Sequence, residues 1–199
     1  MRKLVFLCAL LCTTIAYCEG SFQAGQEKSS VCAACHGARG ISDNPEWPNL
    51  AGQHASYLTK QLRDYQSGTR RYSAVMSPLA AALSTQDIED LAEYYAKLPP
   101  AKGVSAQQAL TRGERLYRGG DYRHHITACI ACHGPKGTGN AQAGFPVISG
   151  QHPAYTIQQM TLFKEKKRQN DLNAIMREIS AHMPPEEIAA VANYLAGLH

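Results

Sequence analysis

The chain has 199 residues, of which 44% are hydrophobic and 18% charged, a balance that excludes a disordered or collagen-like protein and allows one large domain or two small ones. Its one long apolar run, Leu4 to Ala16, is too short to span a bilayer comfortably, which excludes a polytopic membrane protein. A net charge of +4 with no Lys/Arg tract gives no sign of nucleic-acid binding.

In chain order, Met1-Arg2-Lys3 is a short positive region, Leu4 to Ala16 an apolar core, and Ala16-Tyr17-Cys18 a site with small residues where cleavage needs them. Residues 1–18 read as a secretory signal peptide cut after Cys18 or Gly20, with an uncleaved anchor as the alternative. Export follows from that reading. Removal of the segment takes away Cys8, Cys12 and Cys18 and leaves Cys32, Cys35, Cys129 and Cys132.

Those four form two close pairs, each followed at once by histidine. Cys32-Ala33-Ala34-Cys35-His36 and Cys129-Ile130-Ala131-Cys132-His133 both match the attachment motif of c-type haem. Thiols three positions apart share one helical turn and reach the two vinyl groups of one porphyrin, while the adjacent histidine ligates the iron. Chance supplies about 0.01 such pentapeptides in a chain of this composition, so two occurrences are not accidental. A redox Cys-x-x-Cys has no need of the histidine, and a four-cysteine zinc site is the weaker alternative. The cofactors expected are two covalent haem c groups, one held by Cys32 and Cys35 and the other by Cys129 and Cys132.

The chain is also an internal repeat. Trp47-Pro48-Asn49-Leu50-Ala51-Gly52-Gln53-His54 recurs 98 residues later as Phe145-Pro146-Val147-Ile148-Ser149-Gly150-Gln151-His152, and Tyr57 and Gln61 recur as Tyr155 and Gln159. Two homologous domains follow, residues 19–98 and 105–199, joined by a linker at 99–104 where two prolines and a glycine stop the preceding helix. A domain this small buries a limited core, and a bound porphyrin would supply the remainder.

Helical periodicity dominates. His54 to Ser67 sets Tyr57, Leu58, Gln61, Leu62 and Tyr65 on one face. Ser84-Thr85-Gln86-Asp87 resembles a capping box opening a helix to about Leu98. The second half repeats the pattern over Pro153 to Lys167 and Pro184 to Leu198, and no period-2 strand is visible. The fold class expected is all-α, in two domains.

His36 and His133 each supply one axial ligand, and the opposite ligand decides whether an iron transfers electrons or binds substrates. Met160 aligns with Leu62 and Met183 with Leu83, positions that are apolar in the other half and therefore read as core. Met76 and Met176 each stand seven residues before that last pair, in matching places downstream of both motifs, and are taken as the iron ligands. His54 and His152 read as helix entries. His124, His125, His182 and His199 have no counterpart in the first half, and His182 is a minor rival to Met176. Pro48 and Pro146 are either turn formers or the source of carbonyls that orient the two imidazoles.

Together these residues resemble the dihaem cytochrome c4 family. The resemblance rests on both attachment motifs, the duplicated Pro-x-Leu/Ile-x-Gly-Gln block and the paired methionines. It extends through Gly113 to Gly120, Ala143 to Pro146 and Tyr194 to His199. It implies two tandem class I cytochrome c-like domains with His/Met ligation, and a carrier rather than an enzyme, with no catalytic residue. It further implies a periplasmic protein, associated in some relatives with the outer face of the inner membrane, that shuttles single electrons in a respiratory chain towards a terminal oxidase. A cytochrome bc complex or a dehydrogenase is the other kind of redox partner, and neither nucleic acid nor a small-molecule substrate is expected. Alternatives are the cytochrome subunit of a periplasmic dehydrogenase and a dihaem peroxidase. Met183 departs from the family, which usually has leucine there.

Charge is unevenly shared: residues 19–100 carry seven basic and nine acidic side chains, residues 101–199 eleven and seven. Such asymmetry orients a molecule as it meets a partner. Lys164, Lys166, Lys167 and Arg168 form the densest basic cluster, read as either a solvated helix end or a docking patch.

Overall fold

A computed structural model describes residues 19–105 and 110–199. The signal-peptide reading of residues 1–18 lies outside the described residues. Among those described there is no strand, only isolated bridges at Asp121–Ile126 and Asn140–Phe145, and no helix is long and apolar enough to cross a membrane.

The first half contains α1 (Phe22–Lys28), α2 (Ser30–His36), α3 (Ala55–Ser67), α4 (Met76–Ala81) and α5 (Thr85–Lys97). The second contains α6 (Leu110–Gly119), α7 (Ile130–His133), α8 (Pro153–Lys164), α9 (Ile175–Ala181) and α10 (Pro185–Ala196). The order of the first five is that of the second five. The Ser84–Asp87 capping box is present in full and sets the start of α5. Helix α8 stops at Lys164, three residues short of the expected Lys167, because the chain turns through a left-handed Lys166 (φ 57°).

In each half the first helix crosses the last, α1 on α5 and α6 on α10. The crossings depend on glycine. A Cβ on Gly25 would stand 2.0 Å from the carbonyl oxygen of Asp90, and one on Gly113 would stand 2.3 Å from that of Ala190. Beside each crossing an aromatic pair packs at an angle, Phe22 with Tyr94 at 5.2 Å and Tyr117 with Tyr194 at 5.5 Å. Two separate cores result. One gathers Leu58, Leu91, Tyr94 and Tyr95, the other Leu116, Tyr117, Met160, Met183, Val191 and Leu195. Met160 and Met183 are buried there as apolar filling.

The halves meet through a crossed pair of amides. Gln53 of the first half donates from Nε2 to the Val147 carbonyl and accepts from the Val147 N–H, both at 2.9 Å. Gln151 of the second half treats Asn49 the same way, at 3.1 and 2.9 Å. The repeated glutamine is therefore an interdomain latch.

Because backbone blocks both crossings, Gly25→Val and Gly113→Val should each destabilise the protein by about 2–3 kcal/mol. Gly119→Ala, in α6 with no atom near the added methyl, should stabilise it by up to about 1 kcal/mol. Urea midpoints followed by circular dichroism check the ranking.

Candidate cofactor site

Helix α2 carries Cys32, Cys35 and His36 on a single stretch of seven residues. Its counterpart α7 carries Cys132 and His133, with Cys129 at its N-cap. All four thiols are free. They line one apolar cavity of about 1210 Å³ that runs through both halves, and His36, His133, Met76 and Met176 line it too. The structure thus brings the eight residues singled out as haem-attaching or iron-ligating onto one continuous wall.

Both imidazoles are buried, and each Nδ1 lies 2.9 Å from a proline carbonyl, His36 on Pro48 and His133 on Pro146. A carbonyl only accepts, so Nδ1 must hold the proton and Nε2 keeps its lone pair. Burial pushes both imidazoles below their ordinary value, opposed by the bond to the carbonyl. Each ring is therefore neutral with Nε2 able to ligate a metal. Burial likewise pushes the Cys129 thiol up to about 11.

Met76 opens α4, where the Ser73 hydroxyl accepts from its N–H at 3.2 Å. Met176 lies in α9 behind two consecutive left-handed residues, Asn173 (φ 49°) and Ala174 (φ 61°). The two methionines are thus delivered by different local geometry to matching places.

Two buried arginines complete the wall, and sequence reasoning missed both. Arg71 and Arg168 are 5% and 6% exposed. Arg71 reaches Gln61 in its own half and, at 3.2 Å, both Tyr155 and Gln159 across the interface. Arg168 reaches Gln159 at 2.8 Å in its own half, and Tyr57 and Gln61 at 2.9 and 3.1 Å across it. Each guanidinium also lies 4.4 Å over a ring, Tyr65 for Arg71 and Phe163 for Arg168. Among the described residues neither is paired with a carboxylate. Burial pushes the Tyr57 hydroxyl up, yet the charges of Arg168 and Arg71 outweigh it and hold the group below its ordinary value. The two guanidiniums make the surroundings of the Tyr57 hydroxyl locally positive.

The basic cluster read from the sequence therefore does not exist as one patch. Arg168 is an interior cross-link, Lys164 donates to the Met183 carbonyl and Lys167 pairs with Glu165. The turn at Lys166 swings Arg168 inward. The only available signal was the matched spacing of Arg71 and Arg168, 97 residues apart like the two motif histidines.

These features fit haem c. The cavity is apolar and of porphyrin scale, it presents two thiols, one imidazole nitrogen and one thioether per half, and its buried cations suit the propionate carboxylates.

A family model described as cytochrome c matches residues 22–99 and 110–199. Cytochrome c4 of Pseudomonas aeruginosa is 42% identical over 202 residues, covering 100% of both chains. A thiosulfate dehydrogenase electron acceptor of Thiomonas intermedia is 38% identical, covering 88% of this chain and 82% of its own. The crystal structure of reduced recombinant cytochrome c4 from Pseudomonas stutzeri superposes with a TM-score of 0.88 at 41% identity, covering 90% of this chain and 100% of that one.

Replacing Arg168 by leucine takes the guanidinium partner from the Tyr57 hydroxyl and from Asn170 Oδ1, and leaves the Gln61 and Gln159 oxygens to their remaining bonds from Arg71 and Asn170. The holoprotein should lose about 2–3 kcal/mol of stability, and Arg168→Lys should restore only part of it. Thermal and urea unfolding of the three proteins measure this.

Proposed function

The chain belongs to the cytochrome c4 family, and from that premise we propose that it is a periplasmic shuttle passing single electrons between respiratory complexes, with a terminal oxidase as acceptor. It is a dihaem electron carrier and not an enzyme. In the proposed arrangement residues 19–98 and 105–199 each hold one haem c, joined by the linker at 99–104. Haem c supplies, when bound, a one-electron iron couple. Cys32 and Cys35, and Cys129 and Cys132, attach it as thioethers. His36 with Met76, and His133 with Met176, would supply the nitrogen and thioether ligands of the two irons.

The observation that carries this reading is the methionine pair on the cavity wall. A thioether and an imidazole available to each iron would complete its ligand set, raise its potential and leave no position for peroxide or another substrate. The Pro48 and Pro146 carbonyls fix each ring and its tautomer, so coordination changes little between oxidation states. Little reorganisation is what electron exchange requires.

Contact with partners is assigned to the mouth of the first domain. Val31 and Val75, neighbours of Cys32 and Met76, are 67% and 61% exposed, and Leu79 is exposed beside them. Exposed apolar side chains around a cofactor edge suit brief docking without salt-bridge locking. The thiosulfate dehydrogenase electron acceptors among the relatives support a dehydrogenase as electron donor. Peripheral association with the inner membrane remains part of the proposal, through such partners.

An optical spectrum of the oxidised protein with haem counted in the same sample tests the reading. Two haems per chain, low-spin throughout, with methionine-to-iron charge-transfer absorption are expected, and Met76→Ala and Met176→Ala should each remove about half of that absorption. One haem, or a high-spin fraction in fresh protein, overturns it.

A further inference from the structure

The glutamines that latch the domains are also bonded to the peptide units that hold the histidines. The carbonyl of Pro48 and the N–H of Asn49 belong to one peptide group. Its oxygen accepts from His36 Nδ1 at 2.9 Å, and its N–H donates to Gln151 Oε1 at 2.9 Å. The mirror chain runs from His133 Nδ1 to the Pro146 carbonyl at 2.9 Å, and from the Val147 N–H of that peptide to Gln53 Oε1 at 2.9 Å. Each histidine is thus two hydrogen bonds and one peptide group away from a side chain of the opposite domain.

The links are firmly set. Each glutamine oxygen also accepts the N–H of the following histidine at 3.1 Å, His54 for Gln53 and His152 for Gln151. Each Nε2 donates to the next carbonyl along, Val147 or Asn49. Turning either amide over would set its NH2 against two N–H donors, so only one orientation satisfies the network. Gln53 and Asn49 are both 8% exposed, while Gln151 and Val147 are half-buried.

We propose that Gln151 and Gln53 are crossed positioning residues, each setting through one peptide group the donor strength of the histidine in the opposite domain, so that the reduction potential of each haem answers to the other domain. This rests on His36 and His133 being the iron ligands of the function proposed above. The direction follows from the polarity of the chain. An oxygen accepting the Asn49 N–H polarises that peptide and makes the Pro48 oxygen a better acceptor. The Nδ1–H bond strengthens, the ring gains imidazolate character, and Nε2 donates more electron density to iron. Ferric iron gains most, so the contact lowers the potential of the first domain's haem; one electron is exchanged and no proton moves.

The test is a redox titration of the holoprotein, with the two haems resolved by nuclear magnetic resonance. Gln151→Leu removes the acceptor and should raise the potential of the haem at His36, shifting its reduction equilibrium roughly two- to threefold, about 20–30 mV at 59 mV per tenfold. The haem at His133 should stay in place. Gln53→Leu should give the mirror result, and in each case the Nδ1–H resonance of the affected histidine in the reduced protein should move upfield. Gln151→Glu keeps an oxygen acceptor and should hold the first haem at or below its parent potential. Arg70→Ala, which loses the contact from Arg70 to the Gln169 carbonyl and loosens the interface without touching either chain, should move neither.

Equal shifts in both haems, a shift confined to the mutated domain, or none overturns the proposal. If either leucine variant fails to fold, the sign of the Gln151→Glu shift and the Arg70→Ala control decide it. A parent protein lacking two haems or the methionine–iron absorption would instead condemn the proposed ligation, before any variant is compared.

Discussion

Each half of this chain buries only a limited core of side chains, and the architecture is arranged around that constraint. Helices cross tightly at one end, where Gly25 and Gly113 let backbone meet backbone, and diverge around an apolar cavity. The cavity wall is where every chemically specialised side chain lies. The glycine crossings, the aromatic pairs beside them and the capping box of α5 hold that wall in shape.

Duplication set the interface as well as the domains. The contacts between halves are made by the same repeated residues reaching across in both directions, Gln53 to Val147 and Gln151 to Asn49, Arg71 to Tyr155 and Arg168 to Tyr57. Reciprocal contacts of this kind are what two copies of one surface form when related by a two-fold arrangement. Two buried guanidiniums with neutral acceptors would be costly in an apolar interior. They are consistent with an interior built to receive carboxylates.

The symmetry between the halves is incomplete. Met76 follows a turn in which the Ser73 hydroxyl accepts its N–H, whereas Met176 follows two left-handed residues. The first half bears an excess of acidic side chains and the second an excess of basic ones, while exposed apolar side chains border the cavity in both, Val31, Val75 and Leu79 in the first and Leu172 in the second. Opposite excesses of charge give the two halves different electrostatic faces.

Much of the site was legible in the sequence because its chemistry is local. Two cysteines and a histidine within five residues share one helical turn wherever that turn sits, and a duplication exposes the methionines by matching them, so cofactor type, ligand candidates and the all-α class follow from residue order. The capping box and the core roles of Met160 and Met183 were readable for the same reason. Arg168 was not, since a run of basic residues reads as surface until a left-handed Lys166 turns one of them inward. Nor were the crossed glutamines. Their repetition was plain, but hydrogen bonds between residues roughly a hundred positions apart depend on how two folded domains face each other. That placement is set by shape and by the satisfaction of buried polar groups across the whole interface, which no local pattern encodes.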